Sequence, residues 1–568
     1  MRLGSETKNA RDNDVELGLD TASHQWKGYT VVTFGVNDPD FPMRWSLTRK
    51  RRTVGLMCLY LFVAAFGSST WSAAEPGFRE RFGFAPPVSA LGLALYVAGF
   101  GVGPFLWGPL TEVPSWGRKK PWALSFCLFT IFVIPTAFTQ SPAVIFIFRF
   151  LSGACAAGQL NNGGGLITDL YEGRDRFSVL AVYGLCAWGG PIFAPFFQGL
   201  LASHAGWQWP LRLLFFMCAA CCPTLYFVEE TSSAAILHSR ARRIRQRTGR
   251  MDVLSPDQVE DMEATARGVR LTKRDRANVV FGRPMRMIFT EPIAFWTTMF
   301  ISFLYATLYL FFETFSLVFY EQHGIPRSIV GVAFLGVGIG MFFAVLTIQV
   351  VARAGYRFSF LGRLRRRLLK PDSPRSSDEE KNCEADGSRD ADSDTDEACP
   401  EDRLALSVFV APLACVSLFG FAWTSGEYTG TAGLVFGIIF AAGFGYAIVI
   451  AFTTVTNYLS EVFSAYVVSS MAANCITRSL LAAALPVVAN PMMRNLGTEW
   501  GVSILAFITL LFVPIPMILL IYGEGFRKRS RMAKEGREAL QRNIRQKEEL
   551  EAALQNDDGE GEGDQGGK

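Results

Sequence analysis

The chain alternates long apolar runs with short polar knots, and the length of the runs decides its class. No residue from Val88 to Trp107 carries a charge. A polar knot follows, GPLTEVPSWGRKKP at 108–121, and after it no charge appears until Arg149. A run of about 18 or more apolar residues crosses roughly 30 Å of hydrocarbon as a helix. It has to be a helix, because lipid offers the backbone no hydrogen-bond partner of its own. Twelve such runs are predicted, at 53–74, 88–110, 121–138, 142–167, 177–201, 210–228, 293–319, 329–351, 404–424, 431–455, 467–489 and 500–522.

The pattern falls into two sets of six. It predicts a polar tail (1–52), a six-helix half (53–228), a central loop (229–292), a second half (293–522) carrying an acidic insert at 371–402, and a second tail (523–568). The fold class expected is all-α membrane, two six-helix halves with a binding cavity between them near the midplane. An even number of crossings puts both tails on one side. Cations choose the side. Arg49, Lys50, Arg51 and Arg52 precede span one, Arg118, Lys119 and Lys120 lie in loop 2–3, and Arg527, Lys528, Arg529 and Arg531 follow span twelve. Loops of the other parity hold few, namely Arg79, Arg81, Arg327 and Arg494. Both tails are expected in the cytoplasm.

Three polar segments call for separate readings. Residues 232–250 form a basic helix, read either as lying along the inner lipid surface or as simply solvated. Residues 371–402 are dense in Asp, Glu and Ser and are expected to be disordered. Residues 527–553 alternate cations and acids at helical spacing, as a solvated helix does.

Composition agrees with a membrane protein: 50% of the 568 residues are hydrophobic, 19% are charged, and 48 are phenylalanine. The net charge of +4 averages a basic stretch at 363–370 against the acidic insert and says little. Nine of the eleven cysteines sit in apolar runs, and the cluster Cys218, Cys221, Cys222 lacks the second ligand pair a metal site needs. The triplets at Gly99–Gly103 and Gly336–Gly340 mimic a dinucleotide fingerprint but lie inside spans, where glycines serve helix packing. No phosphate-binding GxxxxGK[ST] stretch, HExxH or GxSxG stands out, so an ATP-driven pump and an enzyme are both disfavoured. No metal, cofactor or nucleic-acid partner is expected.

The knot resembles the signature loop of the major facilitator superfamily, with Gly108, Glu112, Gly117, Arg118 and Lys119 at its motif positions. The resemblance implies that glycines let spans two and eleven approach, that the acid sits near the start of span eleven, and that the cations pair with nearby carboxylates. The loop would then latch the inner side. Other stretches fit the same family. RFLSGACAAGQLNNGGGLITDLYEGRDR opens on Arg149, similar to the family's span-four arginine, and contains Asp169, matching the acid that ends that span. GGPIFAPFFQG (189–199) resembles the span-five motif of drug:proton antiporters through Gly189, Gly190, Pro191, Pro195 and Gly199, with Ala194 and Gln198 where glycine is usual. ETSSAAILHSRARRIRQRTG and the region from Asn457 to the last span look like fungal twelve-span drug:proton antiporters. The extra Pro114–Ser115 resembles the branch tied to azole, benomyl and methotrexate resistance and to secondary-metabolite pumps.

Ionisable groups inside spans are costly and are functional candidates by default. Here they are Arg149, Arg212, Glu313 and Arg478, with Glu75 and Asp169 at span ends. Glu313 is the leading proton carrier and Asp169 the second. Arg149 and Arg478 either pair with those acids, attract an anionic group, or tie down backbone carbonyls. Tyr305, Tyr309 and Phe312, with Phe193 and Phe197, are candidates to wall a greasy cavity, and Asn161, Asn162, Gln198 and Asn474 to give it hydrogen-bonding groups. The reading is a proton-coupled antiporter, a monomer in the plasma or vacuolar membrane, exporting hydrophobic drugs, toxins or a metabolite. A polyamine or nutrient carrier, or a non-transporting sensor of the same fold, stays open as the alternative.

Overall fold

Span one is a single helix of 36 residues, Leu47–Phe82. The Ser46 hydroxyl caps it by accepting from the Arg49 amide at 3.4 Å, and Gly83 ends it in the left-handed region at φ 71°. At about 1.5 Å per residue it is roughly 54 Å long, so both ends project beyond the hydrocarbon. The cations Arg49 to Arg52 sit at one end, and Arg79 and Arg81 at the other.

A computed structural model describes residues 21–26, 28–35, 38–111, 113–266, 281–353, 401, 404–426, 430–463 and 466–534. Spans two to six are Leu91–Thr111, Lys119–Phe138, Pro142–Leu170, Gly173–Ala205 and Trp209–Cys221. Spans seven to ten are Pro292–Phe315, Arg327–Arg353, Ala405–Thr424 and Gly430–Val462. Among the described residues eleven helices are long and apolar enough to cross a membrane, and the last of these, Ser469–Arg529, is two crossings. Gly497, at φ 80° and ψ 160°, breaks it into spans eleven and twelve. That gives twelve crossings. Phe409, Val416, Ile439 and Leu511 are among many large apolar side chains exposed on the flanks, as lipid contact requires.

Small residues let the helices touch. An added Cβ on Gly99 would come within 2.5 Å of the Phe150 carbonyl, and one on Gly340 would strike the Ala442 carbonyl. The mimicked fingerprints are thus helix contacts, between spans two and four and between eight and ten. Spans one and five pack in the first half, and seven and eleven in the second. The halves meet where span five packs on eight and span two on eleven.

Three features differ from expectation. The spans are all helical, as the fold class requires, but the polar segments outside them carry a small sheet. Strands β1 (Thr21–Trp26) and β2 (Tyr29–Phe34) pair antiparallel, and β3 (Val253–Leu254) adds in parallel to β2. The basic helix, Ser233–Thr248, does not turn its apolar side to lipid. Leu237 and Ala241 pack there on Val32 and Val253 of the sheet, with Ile244 beside them. Finally, Glu401, at the end of the acidic insert, is fully buried and paired with Arg527 at 3.2 Å. Residues 371–400 and 402, the rest of the insert, lie outside the described residues, as do 535–553 of the second tail.

Candidate functional site: the contacts between the halves

The loop between spans two and three is held inside the first half. The Arg118 side chain reaches Asp169, at the end of span four, through Nε at 2.9 Å and Nη2 at 3.1 Å. Its amide and that of Lys119 donate to the Glu230 carboxylate at 2.9 and 3.1 Å. Glu230, just after span six, therefore caps the start of span three, where the helix dipole favours negative charge. Gly117 adopts φ 70°, and a Cβ there would strike Glu230. Gly165 leaves room for Arg118, whose Nη1 a Cβ would strike. Glu229 pairs with Arg49 and Arg52 of span one. Glu112 lies outside the described residues. Among the described residues an added Cβ on Gly108 would meet nothing within 4 Å, whereas on Gly101 it would stand 3.2 Å from Ser479, so spans two and eleven approach there.

Beside this loop the sheet and basic helix are tied by Arg240, which binds Asp38 through both terminal nitrogens, at 2.5 and 3.1 Å, and Asp40 at 3.0 Å. Burial works to raise the Asp38 pKa, but the hydrogen bond and charge of Arg240 hold it below the ordinary value. The hydrogen bond that Arg240 donates to Asp38 raises the Arg240 pKa in turn.

The two central arginines differ. Arg149 is 1% exposed and donates to the carbonyls of Gly92 (2.8 Å), Gly67 (2.9 Å) and Ser68 (3.3 Å). It pins span four to spans one and two, meets no acid among the described residues, and lies 4.4 Å from the centre of the Tyr96 ring. Arg478 lies over the rings of Tyr305 and Phe452, at 4.5 and 5.0 Å.

Tyr305 donates to the Tyr309 hydroxyl at 3.3 Å, and Tyr309 to the Ser68 hydroxyl at 3.0 Å, across the boundary between halves. Tyr305, Tyr309 and Phe312 are all buried, as is Asn474. Gln198 is buried too, but its amide donates to Thr70 (3.1 Å) and to the Pro210 carbonyl (3.3 Å), so it ties span five to spans one and six. That placement removes it from the shared cavity. Phe193 and Phe197 are exposed on the flank, 40% and 54%. In the span-five motif, Gly190 lets span one approach, since a Cβ would meet the Phe62 carbonyl at 2.7 Å, and the Pro191 carbonyl accepts from Ser69 at 2.6 Å. Gly189 has no such close neighbour, and its nearest contact would be Phe193 at 3.8 Å. Asn161 and Asn162 lie on the span-four helix.

On the face away from the tails, Glu75 of span one and Glu313 of span seven stand within hydrogen-bond reach of each other. Ser89 donates to Glu75, and among the described residues no donor reaches the shielded Oε1 of Glu313. Arg79 lies 3.7 Å from Glu321, which also binds Arg494. Beside the pair a cavity of about 680 Å³ opens between the halves, lined by Pro195 and Gly199 of span five, Phe312 of span seven and Phe334 of span eight among others. Sequence named Glu75 and Glu313 separately but not their pairing, because span length and apolar content do not show which faces of spans one and seven meet. Glu230 carried no comparable signal, because nothing in its sequence context points 112 residues back to Arg118.

The family model of the Major Facilitator Superfamily matches residues 56–369. The chain belongs to this superfamily. It is a multi-pass membrane protein of a family of small-molecule transporters. The MFS-type transporter traF of Penicillium crustosum is 31% identical over 93% of this chain and 99% of its own. The multidrug transporter mdrA of Aspergillus fumigatus is 29% identical over 88% of this chain and 76% of its own. The transporter mrr1 of the citrinin biosynthesis cluster of Monascus ruber is 29% identical over 93% and 97%. The fold resembles that of the xylose transporter XylE from E. coli in a partially occluded inward-open conformation, at TM-score 0.54 and 13% identity, over 83% of this chain and 97% of that one.

Proposed function

We propose that the chain is a proton-coupled exporter of small hydrophobic or amphipathic compounds, acting as a monomer in the plasma membrane with both tails in the cytoplasm. The Glu75–Glu313 contact carries this reading. Two carboxylates at that spacing repel, and a shared proton turns repulsion into a hydrogen bond between the halves. A proton taken up there favours closure of the outer face, and its loss favours opening. Alternating access by rocking of the two halves then links proton movement to cargo movement. The loop at 108–121 acts at the opposite face as the inner latch, with Asp169 holding Arg118 in place. Relatives named as multidrug and efflux transporters support the direction of transport.

The test is a drug panel in a yeast lacking its own pumps, with and without a protonophore. Lower accumulation of at least one azole, benomyl, methotrexate or cycloheximide, reversed by the protonophore, is expected. Correct surface delivery with no change for any compound overturns the reading.

A further inference from the structure

Arg149 and Arg478 each stand alone in the middle of an apolar helix, yet only one of them is satisfied. Arg149 uses its guanidinium on three carbonyls. Arg478 is 6% exposed, and among the described residues its one hydrogen bond runs to the Cys475 sulfur at 3.8 Å. Its Nε is shielded from solvent and has no partner. One turn earlier on the same helix face, Nδ2 of Asn474 is also shielded and unpaired. A buried cation without a carboxylate is a costly arrangement, and buried donors without acceptors add to the cost.

The walls around these donors are aromatic. Tyr305 and Phe452 lie under the guanidinium, and both tyrosine hydroxyls are already committed to the chain that ends on Ser68. Trp188, from span five in the opposite half, stands edge-on to both rings, at 5.4 and 5.3 Å. The cluster therefore has donors on one helix, aromatic faces around them, and one wall that belongs to the other half. It is completed when the halves meet and uncovered when they part.

We propose that Arg478 and Asn474 recognise the anionic group of an amphipathic aromatic acid, whose ring system packs among Trp188, Tyr305 and Phe452. This rests on the exporter reading and names its cargo class. The guanidinium offers a planar fork that matches a carboxylate, and the Asn474 amide adds a further donor. A polyamine would meet a like charge here, with no acid beside it among the described residues, so this site disfavours it.

The test compares tritiated 1-naphthaleneacetate with 1-naphthaleneacetamide, which share a ring and a chain length and differ in charge near neutral pH. Binding is measured to the full chain in lipid nanodiscs, for wild type, Arg478→Gln, Arg478→Lys and Asn474→Ala. Wild type should prefer the acid. Arg478→Gln should weaken acid binding about 30-fold or more and leave the amide nearly unchanged. Arg478→Lys should recover part of the preference, and Asn474→Ala should lose part. Equal binding of the two probes by wild type, or binding of neither, overturns the inference; export of panel drugs in yeast would still leave the exporter reading standing. Loss of both probes in Arg478→Gln, with an unchanged melting curve, also overturns it by making Arg478 a positioning residue for the rings. An acid preference that depends on Arg478, in a protein that moves no panel drug, supports the anion site and counts against the exporter reading.

Discussion

Tyr309 of span seven donates a hydrogen bond to Ser68 of span one at 3.0 Å, and the bond joins the two halves at the middle of the bundle. The Ser68 hydroxyl in turn donates a hydrogen bond to the Ala65 carbonyl at 2.7 Å, while the Ser68 carbonyl accepts from Arg149. The bond thus rests on a rigid part of the first half. Removing it through Tyr309→Phe should cost the closed arrangement about 1 kcal/mol. Spin labels at the helix ends near Arg79 and Glu321 should then report a larger share of separated halves. Ser68→Ala should do the same, and the double change should add little more to the separation, because both remove the same bond between the halves.

Arg149 is a structural residue in this account. Arg149→Met should lower stability by about 3 kcal/mol or more, since three buried carbonyls lose a charged donor. Thermal unfolding in detergent reads this directly. Arg149→Lys should recover only part, because an ammonium cannot reproduce the fork.

Gly165 and Gly103 are predicted to resist substitution for different reasons. Gly165→Ala should displace Arg118 from Asp169 and loosen the loop at the tail face without unfolding the bundle. A cysteine placed in loop 2–3 should then label faster. Gly103→Val should instead wedge spans two and four apart, since even a Cβ strikes Ala157. Its effect should appear as a lower melting temperature, from overpacking worth about 1–3 kcal/mol.

The Asp38–Arg240 tie gives a pH prediction. The folded pKa of Asp38 lies below its ordinary value of 3.8, so its contribution is complete above that value and is lost as pH falls through the folded pKa. Arg240 is shifted upward by its hydrogen bond to Asp38, so its contribution is complete throughout the ordinary range and is lost only at strongly alkaline pH. Attachment of the sheet should therefore be flat between about pH 5 and 8. Asp38→Asn should weaken it throughout that range, and limited proteolysis of the N-terminal segment should show faster cleavage at every pH.

The spans were legible because lipid imposes a length and an apolar content that a sequence displays openly. What the helices do to one another was less so. Arg149 and Arg478 look alike in sequence, each a lone cation in an apolar run, and only the carbonyls of spans one and two separate their roles. Gly101 stands at a contact between spans two and eleven that motif spacing did not single out, because crossing geometry sets it. The sheet was hidden because β3 is two residues long and pairs with a strand more than 200 residues earlier. Glu401 was hidden by its acidic neighbours, since composition averages over a segment and its partner Arg527 lies in another.

The most direct test of proton coupling uses inside-out vesicles with an acidic lumen and the uncharged panel compound that wild type excludes best. Wild type should concentrate it in the lumen, and collapse of the pH gradient should end the concentration. Glu313→Gln should bring the compound to equilibrium but not beyond. Concentration by Glu313→Gln equal to that of wild type, or wild-type concentration without a gradient, would contradict the account.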